Sequence, residues 1–405
     1  MLTRVQALHY RALRSIDQPL SPFQILIGPN ASGKSTFLDV VSLIGDVVTQ
    51  SPATNAIAER AADVRDLTWV RAADWFEVAV EAEIPADFNS RYQNLRYELR
   101  LGMDENSGEV GLLVENLWLL SDTAQPSSHR RNERLTIPAG ARTPNGWRKI
   151  VGKVETGNDY FKSESTDWNN QFRLGPRRSA LANLPEDDDR FPVSTWFKRY
   201  ISESIQRIAL NSQALRRPSP PGIQRAYLPD GSNLPWVIHE LEQRDSQALS
   251  DWVAHIQTAL PDIVGIRTVE RPEDRHRYLV IEYASGLTVP SWVVSDGTLR
   301  LLALTLLAYI QEAKGIYLIE EPENGIHPRA VETVLQSLSS VYGGQVLLAT
   351  HSPVVLSMAK AEDLLCFERT ADGETTIVRG DQHPKLSDWK GDVSLDVLFA
   401  AGVLG

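Results

Sequence analysis

Gly28-Pro-Asn-Ala-Ser-Gly33-Lys34-Ser35 is the stretch of this sequence whose residue types and spacing speak most directly of chemistry. It matches G-x-x-x-x-G-K-[ST] at every position. In such a loop Gly33 lets the backbone wrap closely around phosphate oxygens. Successive N–H groups point inward, and the start of the following helix adds a favourable partial charge. Lys34 is the residue that reaches the β- and γ-phosphates, and the Ser35 hydroxyl is the Mg²⁺ ligand. With Asn30 and Thr36 these residues form the expected ATP-binding set, although the motif accepts GTP as well. A second chemical stretch lies far along the chain, where IYLI at 316–319 runs into Glu320-Glu321-Pro322-Glu323. An apolar strand that delivers carboxylates at its C-terminal end is what a phosphate site needs opposite it. Glu320 is expected in the Mg²⁺ shell, and Glu321 to orient or deprotonate the attacking water. The crowded acids repel one another, a strain that a divalent cation relieves. His351 follows a further apolar strand, QVLLAT, and lies 30 residues after Glu321. That spacing suits a neighbouring parallel strand reached by one crossover helix, with the imidazole able to hydrogen-bond a γ-phosphate.

The elements that must position these groups are legible as patterns. Phe23 to Ile27 (FQILI) reads as a short buried strand ending at Gly28, with a helix through Ile44 beyond the loop. Phe76 to Ile84 (FEVAVEAEI) alternates and predicts a half-buried strand; Arg96 to Met103 and Val110 to Leu120 behave similarly, so an antiparallel sheet is expected. Ser121 to about Asp189 is rich in Ser, Pro, Asn, Gly and charge, and reads as an insertion of long loops and short elements. Ser194 to Leu210 predicts a helix, as do Leu234–Gln243, Gln247–Leu260, Gly297 to Gln311 and 329–340. Hairpins are expected around Ser285-Gly286 and Asp372-Gly373.

In their order and spacing these residues resemble the ABC-type ATPase heads of the RecF, SMC and overcoming-lysogenization-defect (OLD) group, and most closely the stand-alone bacterial AAA/ABC ATPases. The resemblance covers residues 1–45 and 212–370. HYRALRSID followed by GPNASGKST looks like the N-terminal strand and Walker A, with Arg11 where such heads place an arginine near the nucleotide. Val294-Ser295-Asp296-Gly297-Thr298-Leu299-Arg300 looks like the signature motif, with Asp296 in place of the first of two usual glycines. IEEPENGIHP at 319–328 looks like Walker B and D-loop, with Glu320 where aspartate is common, and THSP at 350–353 like the switch-histidine motif. Ser295 lies 25 residues before Glu320, in keeping with that order. LRRPSP at 215–220 and DGSNLP at 230–235 also resemble this subgroup, without a mechanism attached. No glutamine in the middle of the chain stands out as the Q-loop residue, Gln93 and Gln171 included. The resemblance implies an α/β P-loop NTPase with a mixed sheet, an antiparallel β subdomain and a helical or irregular insertion. It also implies an ATP-sandwich homodimer or higher oligomer, in which Ser295, Asp296 and Gly297 of one subunit close on nucleotide held by the other. The motifs at 28 and 320 must then serve one site. The expected layout is a head split into 1–120 and 276–405, with an arm or lid at 121–275.

Composition narrows the alternatives. The 405 residues carry 41 Lys and Arg against 52 Asp and Glu, a net charge of −11, which excludes a uniformly basic coat for nucleic acid and a polybasic membrane binder. One cysteine, Cys366, excludes an intramolecular disulfide and a multi-cysteine metal site. No apolar run reaches membrane-spanning length and the N-terminus is not a signal peptide, so a cytoplasmic protein is expected. Within the acidic average, His129 to Lys153 holds seven Lys and Arg against one acid, with Trp147 among them; it is a candidate DNA or RNA contact or else a solvated loop. The apolar tail, Asp392 to Gly405, packs on its own domain or docks a separate effector protein. OLD relatives carry a nuclease domain after the head, for which this chain leaves no room, so an effector is expected in trans. The function expected from the whole is an ATP-dependent dimeric switch in DNA transactions or antiphage defence. The rivals are a non-catalytic ATP-binding scaffold and the ATPase subunit of a transporter.

Overall fold

The computed structural model describes residues 1–384 except 89, 105–106, 125–133, 139, 155–157, 224–225 and 311–313, together with Leu395 and Val397. The chain divides into two compact units. One comprises Met1–Ser21, Gly28–Ile205 and Phe367–Val378, the other Pro22–Ile27, Gln206–Cys366 and Arg379–Gly405.

The first unit is built on an antiparallel sheet. Its strands are β1 (Leu2–Tyr10), β2 (Leu13–Pro19), β4 (Trp75–Glu83), β5 (Asn94–Met103), β6 (Val110–Leu120), β7 (Trp147–Lys153), β8 (Asp159–Lys162) and β9 (Asn169–Phe172). They lie in the order β2-β1-β4-β5-β6-β7-β8-β9, while β3 (Phe23–Ile27) belongs to the second unit. Among the described residues the sheet is accompanied by α1 (Lys34–Thr49), α2 (Asn55–Ala58) and α3 (Pro192–Glu203), and α1 packs against β1, β4 and α3. The expected half-buried strand at 76–84 is instead buried continuously from Phe76 to Val80. The reason is that β4 is an inner strand beneath α1 and its polar positions are also covered. Glu77 accepts hydrogen bonds from Thr136 N at 3.0 Å and Thr136 Oγ1 at 2.6 Å. Glu98 accepts from Ile137 N at 3.0 Å and Trp118 Nε1 at 3.2 Å. Glu115 accepts from Tyr97 OH at 2.7 Å, Ala180 N at 2.6 Å and Leu181 N at 2.9 Å. Buried carboxylates thus pin two loop segments to the sheet, and each is affordable because several donors surround it. The sequence between 121 and 189 also contributes more order than loops and short elements: β7, β8 and β9 extend the sheet. The last two are four residues each and polar, too short to leave a period in the sequence.

The second unit holds the parallel sheet. In the order β10-β14-β15-β3-β16 lie β10 (Ile205–Ile208), β14 (Ile316–Glu320), β15 (Gln345–Ala349), β3 (Phe23–Ile27) and β16 (Leu364–Arg369). β14 pairs parallel with β15, β15 with β3, and β3 with β16. Past Cys366 the chain turns at Asp372-Gly373 into β17 (Thr375–Arg379), as the turn residues predict. The expected helix over 194–210 stops at Glu203, because Ile205-Gln-Arg-Ile forms β10 beside β14 instead. A separate antiparallel sheet, β11 (Ile263–Glu270), β12 (Arg277–Tyr283) and β13 (Thr288–Pro290), turns at Ser285-Gly286 as expected. The helices are α4 (Ser212–Arg216), α5 (Leu234–Arg244), α6 (Ser246–Ala259), α7 (Asp296–Leu306), α8 (Pro328–Ser339) and α9 (Pro353–Met358). They share one apolar core with β3, β11, β12, β14 and β15, centred on Leu299, Leu302, Leu306, Ile319, Leu348 and the fully buried Trp252. The Trp252 indole donates to Thr305 Oγ1 at 3.0 Å, so its one polar atom is satisfied inside that core.

Candidate functional site

Residues 28–33 form a tight loop between β3 and α1. Gly28, Ala31 and Gly33 have φ of 144°, 61° and 104°, and the alternation of hand curls the backbone around a concavity. Gly33 is the residue before α1, and its positive φ strains any side chain. A Cβ there would also lie 2.7 Å from Thr375 Oγ1. Thr375 braces the loop, donating from Oγ1 to the Ser32 carbonyl at 2.8 Å. Lys34 is buried, and its Nζ donates to the carbonyls of Gly28 at 2.8 Å and Pro29 at 2.9 Å, so the ammonium is held inside the curl of the loop. Ser32 Oγ is buried with no hydrogen-bond partner. An orphan hydroxyl costs about 1–3 kcal/mol, which an anionic oxygen in the loop would offset. Asn30 and Ala31 are exposed at the tip, Ser35 is exposed at the start of α1, and Thr36 beside it is half-buried.

Arg11 sits in the β1–β2 turn with φ 49°. Its Nη1 lies 3.0 Å from Asp39 Oδ2, on the helix that follows the loop. Tyr10 OH donates to the same carboxylate at 2.6 Å, and Arg60 Nε donates to its other oxygen at 2.8 Å. Burial and the Asp39 charge push the Tyr10 phenol upward, which keeps it a donor. Arg11 thereby fixes the turn to α1, and nothing local to Asp39 predicts that it gathers three partners.

The acidic turn belongs to the second unit. Glu320 on β14 pairs with Ala349 on β15, and Ala349 with Leu26 on β3. Three parallel strands therefore end side by side at Glu320, Ala349 and Ile27, and the chain continues from Ile27 into Gly28. Glu321 has φ 48°, a region that a non-glycine residue occupies only where its surroundings compel it. Its N–H donates to the Ala349 carbonyl at 2.8 Å, and Asn324 Nδ2 donates to its carboxylate, so backbone and side chain are both held. Glu323 turns inward: Thr350 Oγ1 donates to its Oε1 at 2.6 Å, while Oε2 is buried without a hydrogen bond. Thr350 Oγ1 also accepts from Ser352 N at 2.9 Å, and Thr350 N donates to Leu26 O at 3.1 Å, which fixes the loop carrying His351. Sequence reasoning missed Thr350 and Glu323 as the clasp between the acidic turn and the loop of His351. Thr350→Val keeps the shape and removes the hydroxyl. It is expected to lower stability by about 1–3 kcal/mol, read as a shift of the urea midpoint at unchanged slope.

Arg207 on β10 hydrogen-bonds the Glu320 carboxylate, a pair invisible in the sequence. The signature residues open α7. Ser295 caps the helix, accepting from Thr298 N at 3.2 Å, and Asp296 and Gly297 form its first turn. A Cβ on Gly297 would collide with the Gly325 carbonyl oxygen, so glycine is required where α7 meets the loop after the acidic turn. Trp292 and Val293, just before the signature, are 48% and 64% exposed.

The basic stretch lies partly on β7. Arg148 Nε and Nη2 donate to the Ser163 carbonyl at 3.0 and 2.6 Å. Lys153 is buried, donating to the Gly175 carbonyl at 2.7 Å and paired with Asp159 at 3.4 Å. Lys149 lies over the Trp118 ring, and burial brings its ammonium down to about 8. Trp147 packs edge-on against Trp118. These four side chains are engaged with the sheet, because β7 is one of its strands. Arg130 and Arg131 lie outside the described residues, as does the apolar tail apart from buried Leu395 and exposed Val397. Among the described residues no helix is long and apolar enough to cross a membrane.

A parallel sheet whose central strand feeds a phosphate loop, an antiparallel sheet and a capped signature helix together define an ABC-type ATPase head of the RecF, SMC and OLD kind. Solved structures share the fold. An SMC head bound to the C-winged helix domain of ScpA aligns with 93% of this chain and 97% of its own, at 15% identity and a TM-score of 0.55. A second Smc head, with an extended coiled coil and bound to the C-terminal domain of ScpA derived from Pyrococcus furiosus, covers 93% and 95% at 14% identity and a TM-score of 0.53. The chain belongs to the family described as "AAA domain, putative AbiEii toxin, Type IV TA system", whose model matches residues 23–357. Among curated proteins it is 21% identical over 419 residues to the Old nuclease of Escherichia phage P2, covering 96% of this chain and 62% of that protein. It is 46% identical over 48 residues to the OLD nuclease of Thermus scotoductus, covering 12% and 9%. The chain spans less than two thirds of the length of either curated relative.

Proposed function

We propose that this chain binds ATP with Mg²⁺ at Gly28–Thr36, hydrolyses it, and uses the cycle as a switch between separate and associated copies. The observation that carries the reading is the register of β14, β15 and β3. It ends the strand bearing Glu320 and the strand that leads to His351 beside the strand that runs into the phosphate loop. Gly33 and Lys34 hold the phosphates, with Asn30 and Thr36 at the rim of the loop. Ser35 and Glu320 supply the hard oxygen donors that suit Mg²⁺, and the unpartnered Ser32 Oγ suits a loop that takes a polyphosphate. When bound, Mg²⁺ neutralises charge on the phosphate oxygens. Glu321 accepts the proton of the attacking water, His351 hydrogen-bonds the γ-phosphate, and Arg11 steadies the loop side through Asp39. Ser295, Asp296 and Gly297 complete the site of a second copy, and the exposed Trp292 and Val293 beside them suit such an interface.

The curated relatives are named nucleases and extend beyond the matched region. In the biological role that fits, a switch in DNA transactions or antiphage defence, the associated state gates a separate effector protein. The test is release of inorganic phosphate from ATP by the purified chain with and without Mg²⁺. Release that requires Mg²⁺ supports the reading. Release at background in both conditions, with ATP binding intact, overturns hydrolysis and leaves an ATP-binding scaffold.

A further inference from the structure

The signature carries a feature that its proposed role makes awkward. Asp296 places a carboxylate at the start of α7, where the N–H groups would face the triphosphate of a second copy. A negative charge there stabilises the helix itself but repels phosphate. The structure supplies the counterpart from α4. Arg216 Nε and Nη2 donate to Asp296 Oδ1 at 2.8 and 2.6 Å. Its Nη1 donates to the Trp292 carbonyl at 3.2 Å, and its own carbonyl accepts from Ser291 Oγ at 3.1 Å. One arginine therefore ties together both ends of the loop from Ser291 to Asp296. It also holds the Asp296 carboxyl below the usual range, with help from Ser212 one turn earlier. α4 is fixed in turn by Asn211, whose side chain accepts from Gln213 N and Ala214 N at 2.9 and 3.0 Å. The guanidinium remains one third exposed on this surface.

We propose that Arg216 is a positioning and charge-compensating residue of the signature. By gripping Asp296 it presents a neutral or positive end of α7, rather than a bare carboxylate, to the nucleoside triphosphate held by another copy. This gives LRRPSP a purpose: α4 ends on the arginine that the signature needs, and Pro218 stops the helix there. The aspartate is tolerated in place of glycine because the arginine comes with it. The inference rests on the reading that the signature serves a nucleotide in trans.

The experiment is ATP-driven self-association, followed by sedimentation in the Glu321→Gln background, with phosphate release measured in the otherwise wild-type chain. Arg216→Ala is expected to weaken association and lower turnover at least tenfold, with ATP affinity of the dilute chain unchanged. Adding Asp296→Asn to Arg216→Ala is expected to recover most of both losses, which a merely structural brace would not allow. Arg216→Gln, which keeps a donor for Trp292 but drops the charge, gives the same comparison should the alanine variant melt early. Unchanged association in Arg216→Ala overturns the inference, and so does a loss that Asp296→Asn fails to recover. If the parent chain itself does not associate with ATP, the trans reading falls and this inference with it.

Discussion

Lys34→Ala is expected to abolish ATP-induced stabilisation of this protein. A ligand that binds only the folded state, at one hundred times its dissociation constant, adds about 2.7 kcal/mol to unfolding free energy. The parent chain should show that gain as a rise in melting temperature with Mg²⁺ and ATP. The variant should show none at the same concentrations. Lys34 is the cation held inside the loop, its Nζ on the carbonyls of Gly28 and Pro29. Removing it leaves those carbonyls without that donor and the phosphates without their charge partner. The comparison must therefore be made between each chain with and without nucleotide, because the unliganded melting temperature is itself expected to fall.

Glu321→Gln is expected to lower phosphate release by about 10²–10⁴-fold, the usual contribution of a positioned general base, while ATP binding persists. The substitution is nearly isosteric, and the features that fix residue 321 survive it. The positive φ is set by the backbone, and its N–H still meets the Ala349 carbonyl. Asn324 can meet the glutamine amide oxygen in place of the carboxylate. What is lost is the capacity to take a proton. A matching loss of ATP binding would instead make Glu321 a structural residue of the turn.

The parts of the site that were legible in the sequence are those with local causes. An apolar strand, a glycine-lysine loop and a helix follow one another within 23–49, so motif and context can be read together. The strand of Glu320, the helix of 328–339 and the strand before His351 are likewise one local βαβ pattern. The residues that hold the site had no such signal. Thr375 meets Ser32 across 343 positions, and Arg207 meets Glu320 across 113. Arg216 reaches Asp296 across 80. The surroundings of the basic stretch were illegible for a related reason. Charge density is a local count, whereas the use of Arg148 and Lys153 depends on strands that pair only in the folded sheet. The glutamates at 77, 98 and 115 looked like the outward face of an alternating strand, and became the donors' targets beneath covering loops.

The most direct test of an ATP-driven switch is sedimentation of the Glu321→Gln chain with and without Mg²⁺ and ATP. Slowed hydrolysis should trap whatever state ATP favours. The expected result is a shift from monomer to dimer on adding ATP, reversed by removing nucleotide. Persistent monomer at high protein concentration with saturating ATP would contradict the switch and the composite site with it.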